Sequence, residues 1–292
     1  MGLEVGFVGL GVMGHSMAGH ILRGGHRLTV YNRTQNKTEV LKKEGAEVAL
    51  TLKELAEKSS YVFICAGDGA SVREIIFGTG KSNSDSLISG LKPGAIVVDH
   101  STISPTEALD LAKDLEELGF KFLDAPITGG DIGARNGTLT TMVGGDAETL
   151  EKVRPVLSLY SKKICLIGPN SFGQKMKAVN QVGAIGGVAL LTELMHFAAK
   201  QGLDPSMTVE TLKDGGASSF ALNVYGPKIV NGDFKPGFSV KHSKKDIGIV
   251  LNQAKGLDMP FTEVTFKALE DAAKKGLSEE GNHVLFTLKG EK

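Results

Sequence analysis

Cysteine is scarce: Cys65 and Cys165 are the two in a chain of 292 residues. Each lies near the end of an apolar, strand-like run. Two buried thiols in a reducing compartment are expected, with one disulfide between them as the open alternative. Neither sign of charge is in excess. The 33 basic side chains balance 33 acidic ones, which argues against a nucleic acid or an acidic membrane as the main partner. No apolar run reaches about 18 residues, the length that suggests a membrane span. Neither a signal peptide nor an Arg/Ser-rich transit segment precedes the first strand-like run, and repeats and low-complexity tails are missing. A cytoplasmic protein is therefore expected. His15 and His100 have no metal-ligand partner at a familiar spacing, so helix-start or loop roles are expected for them and no metal is. The length fits one large domain or two ordinary ones.

What the chain does have is glycine, placed early. Leu3–Leu10 is a short apolar run suited to a buried parallel strand, and Gly9, Gly11 and Gly14 follow in GLGVMG. Met17, Ala18, Ile21 and Leu22 then recur at helical spacing up to Gly24-Gly25, and Arg27–Tyr31 reads as a second strand. A G-x-G-x-x-G alone marks a tight turn. Framed by strand, helix and strand, it predicts a dinucleotide site along Gly9, Leu10, Gly11, Val12, Met13 and Gly14. Gly9 permits the turn, Gly11 lets backbone approach a pyrophosphate, and Gly14 lets the helix lie close to the sheet.

The end of the second strand selects the cofactor. An NAD site usually has an acidic residue there for the ribose 2′-hydroxyl. Here Asn32, Arg33 and Thr34 stand instead. Arg33 offers charge-assisted hydrogen bonds to a 2′-phosphate and Thr34 can donate another, which favours NADP(H); the bland alternative makes Arg33 a solvated loop cation.

Alternating strands and helices continue to about residue 168. Tyr61–Cys65 is a strand whose following loop, Ala66 to Ala70, is either a cofactor contact or an ordinary turn. Ala95–Asp99 is another strand. Ser104, Pro105 and Glu107 read as N-cap, N1 and N3 of a helix, which leaves Thr102 freer to face a ligand. Phe120–Asp124 leads into a glycine-rich loop with Thr128, Gly129 and Gly130. Beyond Gly168–Gly173 the strand signals stop. Gln174–Gly202 reads as one long helix, with Gly183, Gly186 and Gly187 suggesting close packing against another helix. Further helices are expected at Pro205–Lys213, Ala221–Tyr225, Lys245–Ala254, Thr262–Lys275 and Asn282–Lys289. The expected organisation is α/β: an N-terminal Rossmann dinucleotide-binding domain (1–168) and a C-terminal all-helical domain (169–292), joined by a long helix.

Lys177, Asn180 and Gln181 are spaced i, i+3 and i+4, so they share a face of that helix. Carbonyl reduction by hydride needs a proton for the developing alkoxide. A lysine can supply it if its pKa, about 10.4 in water, is lowered by desolvation or nearby cations. By spacing alone a solvated lysine is the commoner outcome, and Lys175 competes for the role. His242 and Lys245 can share another helical face. Asp246 either holds Lys245 by an ion pair or sits on a solvated surface.

Five segments in order, GFVGLGVMGHSMAGHIL, DHSTISP, DAPITGGDIGARNGTL, GQKMKAVNQ and FKPGFSVKHSKKD, resemble the β-hydroxyacid dehydrogenase family over essentially the whole length. The resemblance implies Lys177 as catalytic general acid/base. It implies Thr128, Gly129 and Gly130 as the loop holding a substrate carboxylate, Asn180 as a substrate-binding residue and Phe238 as a pocket wall. Thr102 and Lys245 match cofactor contacts. Thr128 stands where most relatives carry serine, and Asn180-Gln181 where Asn-Asn is frequent. Both departures bear on substrate identity, not on reaction class. The resemblance is greatest to NADPH-dependent glyoxylate/succinic semialdehyde reductases, with 3-hydroxyisobutyrate and tartronate semialdehyde (2-hydroxy-3-oxopropionate) oxidoreductases as alternatives. A 6-phosphogluconate dehydrogenase or an imine reductase fits less well, as does a non-enzymatic NADP-binding module. The resemblance also implies a homodimer or homotetramer.

Overall fold

The computed structural model describes residues 2–79 and 85–289. Among the described residues nine strands form one sheet: β1 (Glu4–Val8), β2 (Arg27–Tyr31), β3 (Glu47–Val48), β4 (Tyr61–Ile64), β5 (Ile96–Asp99), β6 (Lys121–Asp124), β7 (Ile127–Thr128), β8 (Leu139–Gly144) and β9 (Ser161–Gly168). Helices α1 (Val12–Arg23), α2 (Glu39–Glu44), α3 (Leu52–Glu57), α4 (Gly69–Phe77), α5 (Pro105–Glu117), α6 (Gly130–Asn136) and α7 (Ala147–Leu157) connect them. Then come α8 (Phe172–Lys200), α9 (Pro205–Leu212), α10 (Phe220–Val230), α11 (Val240–Gln253), α12 (Pro260–Lys274) and a 3-10 segment, Asn282–Lys289.

The sheet order is β3-β2-β1-β4-β5-β6-β8-β7, with β9 on β8. The first six strands are parallel and in the doubly wound order of a Rossmann fold. Both faces are covered, which is why the strands read as apolar runs. Phe7, Phe63, Val98 and Leu123 enter one core with Met17, Ile21 and Val153. Their neighbours Val8, Ile64, Val97 and Phe122 enter the other, with Leu55, Ile76 and Leu111.

The chain divides into two units, Met1–Lys177 and Ala178–Lys292. The second has two helical cores, one around Val188, Leu191, Met195 and Tyr225, the other around Ile185, Val240, Ile247 and Leu269. Helix α8 is long and apolar enough to cross a membrane by length and composition, its apolar stretches being broken by polar residues. Its Ile185, Val188, Leu191 and Met195 recur at threes and fours and build those cores.

Three expectations need correction. A Cβ on Gly183 or Gly186 would meet nothing within 4 Å, so neither glycine serves close packing within the chain; only Gly187 faces a neighbour, Ala221. Cys65 and Cys165 form no disulfide, and both are half-buried rather than buried. Helices α4 and α6 begin inside segments read as glycine-rich loops, because Asp68 caps α4 by accepting from the Ser71 N–H and Gly129 opens α6 at φ 125°.

Candidate active site

The glycine loop is held by contacts that exclude side chains. Gly9 has φ 96° and its missing Cβ would collide with the Cys65 carbonyl, while one on Gly14 would collide with the Gly9 carbonyl. A Cβ at Gly11 would meet nothing within 4 Å. Gly11 is also the N-cap of α1, with no side-chain cap and no acidic residue in the first turn. That leaves an uncapped helix N-terminus beneath a residue with open space above it, which suits a pyrophosphate. Leu10 and Gly14 are buried, Met13 is half-buried and Val12 is exposed.

Asn32 ties this loop to the end of β2. Its Oδ1 accepts from the Leu10 N–H at 2.8 Å and its amide donates to the Thr34 carbonyl at 2.9 Å. Arg33 and Thr34 are exposed. The following loops lie at the same carboxyl edge of the parallel strands, where ligands bind in such sheets. Ala66 donates its N–H to the Ser101 hydroxyl at 2.8 Å, and Ser101 immediately precedes Thr102. Asn32, Ala66 and Thr102 are thereby fixed to the strand ends around Gly9–Gly14.

Beneath the edge sits a buried imidazole. His100 Nδ1 lies 2.6 Å from the Ala125 carbonyl, so it carries the proton, and Nε2 accepts from the Tyr160 hydroxyl at 2.9 Å. Burial pushes His100 down to about 4 and Tyr160 well up. Asp124 is buried at the end of β6, and that burial pushes it up to about 6. Its carboxylate accepts from the Ser171 N–H at 2.7 Å and the Gln174 N–H at 2.9 Å, satisfying donors at the start of α8. Neither residue is legible as functional in the sequence, because its partners lie tens of residues away.

Lys177 is 7% exposed, and its ammonium donates to the Ile127 carbonyl at 2.7 Å, directly before Thr128, Gly129 and Gly130. Lys175 is exposed, 4.0 Å over the Phe172 ring. Burial and a carbonyl partner therefore single out Lys177 of the two. Gly129 and Gly130, at φ 125° and 66°, hold turns that favour glycine.

In the second unit the polar residues form a chain. Asn180 donates to the side-chain Oε1 of Gln181, the Gln181 amide nitrogen donates to the buried Asp246, and Asp246 pairs with Lys245 at 3.1 Å. Asp246 is thus no surface carboxylate. Phe238 is half-buried on the core of Ile185 and Ile247, its ring 6.4 Å from that of His242. Among the described residues no group of three His, Cys, Asp or Glu could hold a metal.

A doubly wound sheet, an uncapped glycine-rich helix start at its switch point and a buried lysine at the same edge define a nicotinamide dinucleotide-dependent oxidoreductase. Comparisons with known proteins narrow the class. Residues 4–168 match the family model described as the NAD binding domain of 6-phosphogluconate dehydrogenase. Residues 172–288 match the one described as NAD-binding of NADP-dependent 3-hydroxyisobutyrate dehydrogenase. An uncharacterised oxidoreductase of Bacillus subtilis (strain 168) is 38% identical over 97% of this chain and 98% of its own. The 2-hydroxy-3-oxopropionate reductase of Escherichia coli (strain K12) is 37% identical over 95% of this chain and 94% of its own. The crystal structure of 3-hydroxyisobutyrate dehydrogenase from Salmonella typhimurium superposes with a TM-score of 0.91, at 27% identity, over 98% of this chain and 99% of that one. The chain belongs to the β-hydroxyacid dehydrogenase family and is an NAD(P)-dependent oxidoreductase of that kind.

Proposed function

We propose that the protein reduces a short aldehyde acid to the hydroxy acid with NADPH, glyoxylate or succinic semialdehyde being the first candidates. The observation that carries this reading is Lys177, buried and held on the carbonyl next to the Thr128–Gly130 turn. NADPH, when bound, supplies the hydride. Gly9–Gly14 would hold its pyrophosphate, Arg33 with Asn32 and Thr34 its 2′-phosphate end, and Ala66, Thr102 and Lys245 would make the remaining contacts. Thr128, Gly129 and Gly130 would receive the substrate carboxylate, and the family resemblance gives Asn180 and Phe238 substrate-binding roles of their own. Lys177 gives its proton to the carbonyl oxygen as that oxygen gains charge, and takes it back in the reverse direction.

Similarity to the Escherichia coli reductase, together with the Asn180-Gln181 pair, favours 2-hydroxy-3-oxopropionate as a second substrate reading. The experiment is NADPH oxidation followed by absorbance with glyoxylate, succinic semialdehyde, 2-hydroxy-3-oxopropionate and methylmalonate semialdehyde, repeated with NADH. Turnover of one or more, faster with NADPH, is expected. Cofactor binding with no oxidation across the set would favour a non-enzymatic NADP-binding module.

The reading includes a homo-oligomer. Exposed Val179, Gly183, half-buried Gly186 and exposed Leu190 succeed one another at four, three and four residues on α8, with exposed Phe197 seven further on. Across a two-fold axis residue i of one copy meets j of the other and j meets i, so this one stripe can serve both partners. Cys65 and Cys165, left out of any disulfide, suit the proposed cytoplasmic setting.

A further inference from the structure

We infer that Gln174 is a positioning residue that locks the loop bearing Thr102 to the turn of α8 bearing Lys177. The inference rests on the reading of Lys177 as proton donor and Thr102 as cofactor contact. Gln174 is 1% exposed. Its Nε2 donates to the Ser101 carbonyl at 2.8 Å, and its Oε1 accepts from the Ile103 N–H at 3.2 Å. These two groups flank Thr102, so one amide grips the backbone on both sides of that residue.

The grip is itself anchored. The Gln174 N–H donates to Asp124 at 2.9 Å, which fixes the amide against the end of β6. The Ser101 hydroxyl accepts from Ala66, extending the lock to the loop after β4. Lys177 follows three residues later, on the same helical face, with its ammonium on the Ile127 carbonyl. Loops after β4, β5 and β6 therefore share one reference point, the first turn of α8. Hydride and proton must reach the same carbonyl in one geometry, and a misplacement of about 1 Å can cost on the order of 10²-fold in rate. An apolar side chain of equal length would leave both backbone groups without these bonds.

The test uses the full-length protein with Q174M, which keeps the length and loses both bonds, and Q174E, which keeps an acceptor for Ile103 and, when ionised, lacks the donor for Ser101. In the folded variants the Kd for NADPH is expected to stay within about threefold of wild type, while kcat falls about tenfold or more and aldehyde KM changes little. The primary isotope effect with NADPH deuterated at the transferred hydride rises. A purely structural role would lower the Tm and leave kcat per folded molecule and the isotope effect unchanged; that result overturns the inference. Should Q174M not fold, Q174E carries the same comparison. If wild type oxidises NADPH with none of the aldehydes, the proposed reaction fails and the lock is read from the emission of bound NADPH alone. An altered emission in the variants supports the lock, and an emission identical to wild type in both overturns it.

Discussion

Burial moves two ionisable side chains at the sheet edge in opposite senses. Asp124 is pushed up to about 6, so between its ordinary value of 3.8 and 6 the native state holds the extra proton. Its contribution to stability is full below that window and is lost as pH rises through it. His100 is pushed from 6.5 down to about 4, so the unfolded chain holds the extra proton there. Its contribution is full above pH 6.5 and is lost as pH falls toward 4. Each is on the order of 3 kcal/mol at full titration, and they oppose each other over about pH 4 to 6. Relative to wild type, Asp124→Asn should therefore lose stability on acidification through this range, and His100→Gln should gain it. Urea midpoints at several pH values check both; parallel profiles for the three proteins would refute the assignment. Lys177 is the other residue-scale prediction. Lys177→Ala should lose about 10² to 10⁴ in turnover and still bind NADPH. Near-normal turnover would remove Lys177 from the proton-donor role.

The elements were legible where local chemistry decides them. Ser104 and Glu107 make the capping box that their spacing announces, with Pro105 at the first helical position. The glycine loop and its flanking strands stand where the apolar runs put them. Legibility fails where a local signal points the wrong way. Helix α10 runs through Pro227 to Val230 rather than stopping at Tyr225, although a proline in a helix interior ordinarily breaks it. Helix α11 starts at Val240 because Ser239 caps it, five residues before the predicted start. At this scale the exposed stripe on α8 makes its own prediction. Leu190→Glu should reduce the mass of the particle measured by light scattering after gel filtration, because it would place a charge in the seam. An unchanged mass would move the association to another surface.

For the molecule as a whole, the sequence showed the class of chemistry better than the apparatus that supports it. The glycines were readable because G-x-G-x-x-G between a strand and a helix is uncommon; spacing alone left Lys177 in competition with Lys175, and only the family resemblance separated the two. Gln174, Asp124 and the His100–Tyr160 pair were not readable, because a side chain bonded to a group 25 to 73 residues away leaves no periodicity. Cofactor choice belongs to this scale, since it fixes which cellular pool of reducing power the enzyme draws on. Arg33→Ala should raise the KM for NADPH far more than that for NADH; equal effects would sink the phosphate assignment.

The bonds of Asn32 carry one consequence for how that choice could change. An aspartate there keeps the acceptor for the Leu10 N–H, forfeits only the donation to Thr34, and presents a carboxylate to the adenosine ribose. Asparagine and aspartate codons differ by one A-to-G transition. Asn32→Asp is expected to fold and to shift the ratio of kcat/KM values toward NADH, so on the proposed NADPH reading one point mutation in this loop is enough to move the coenzyme balance.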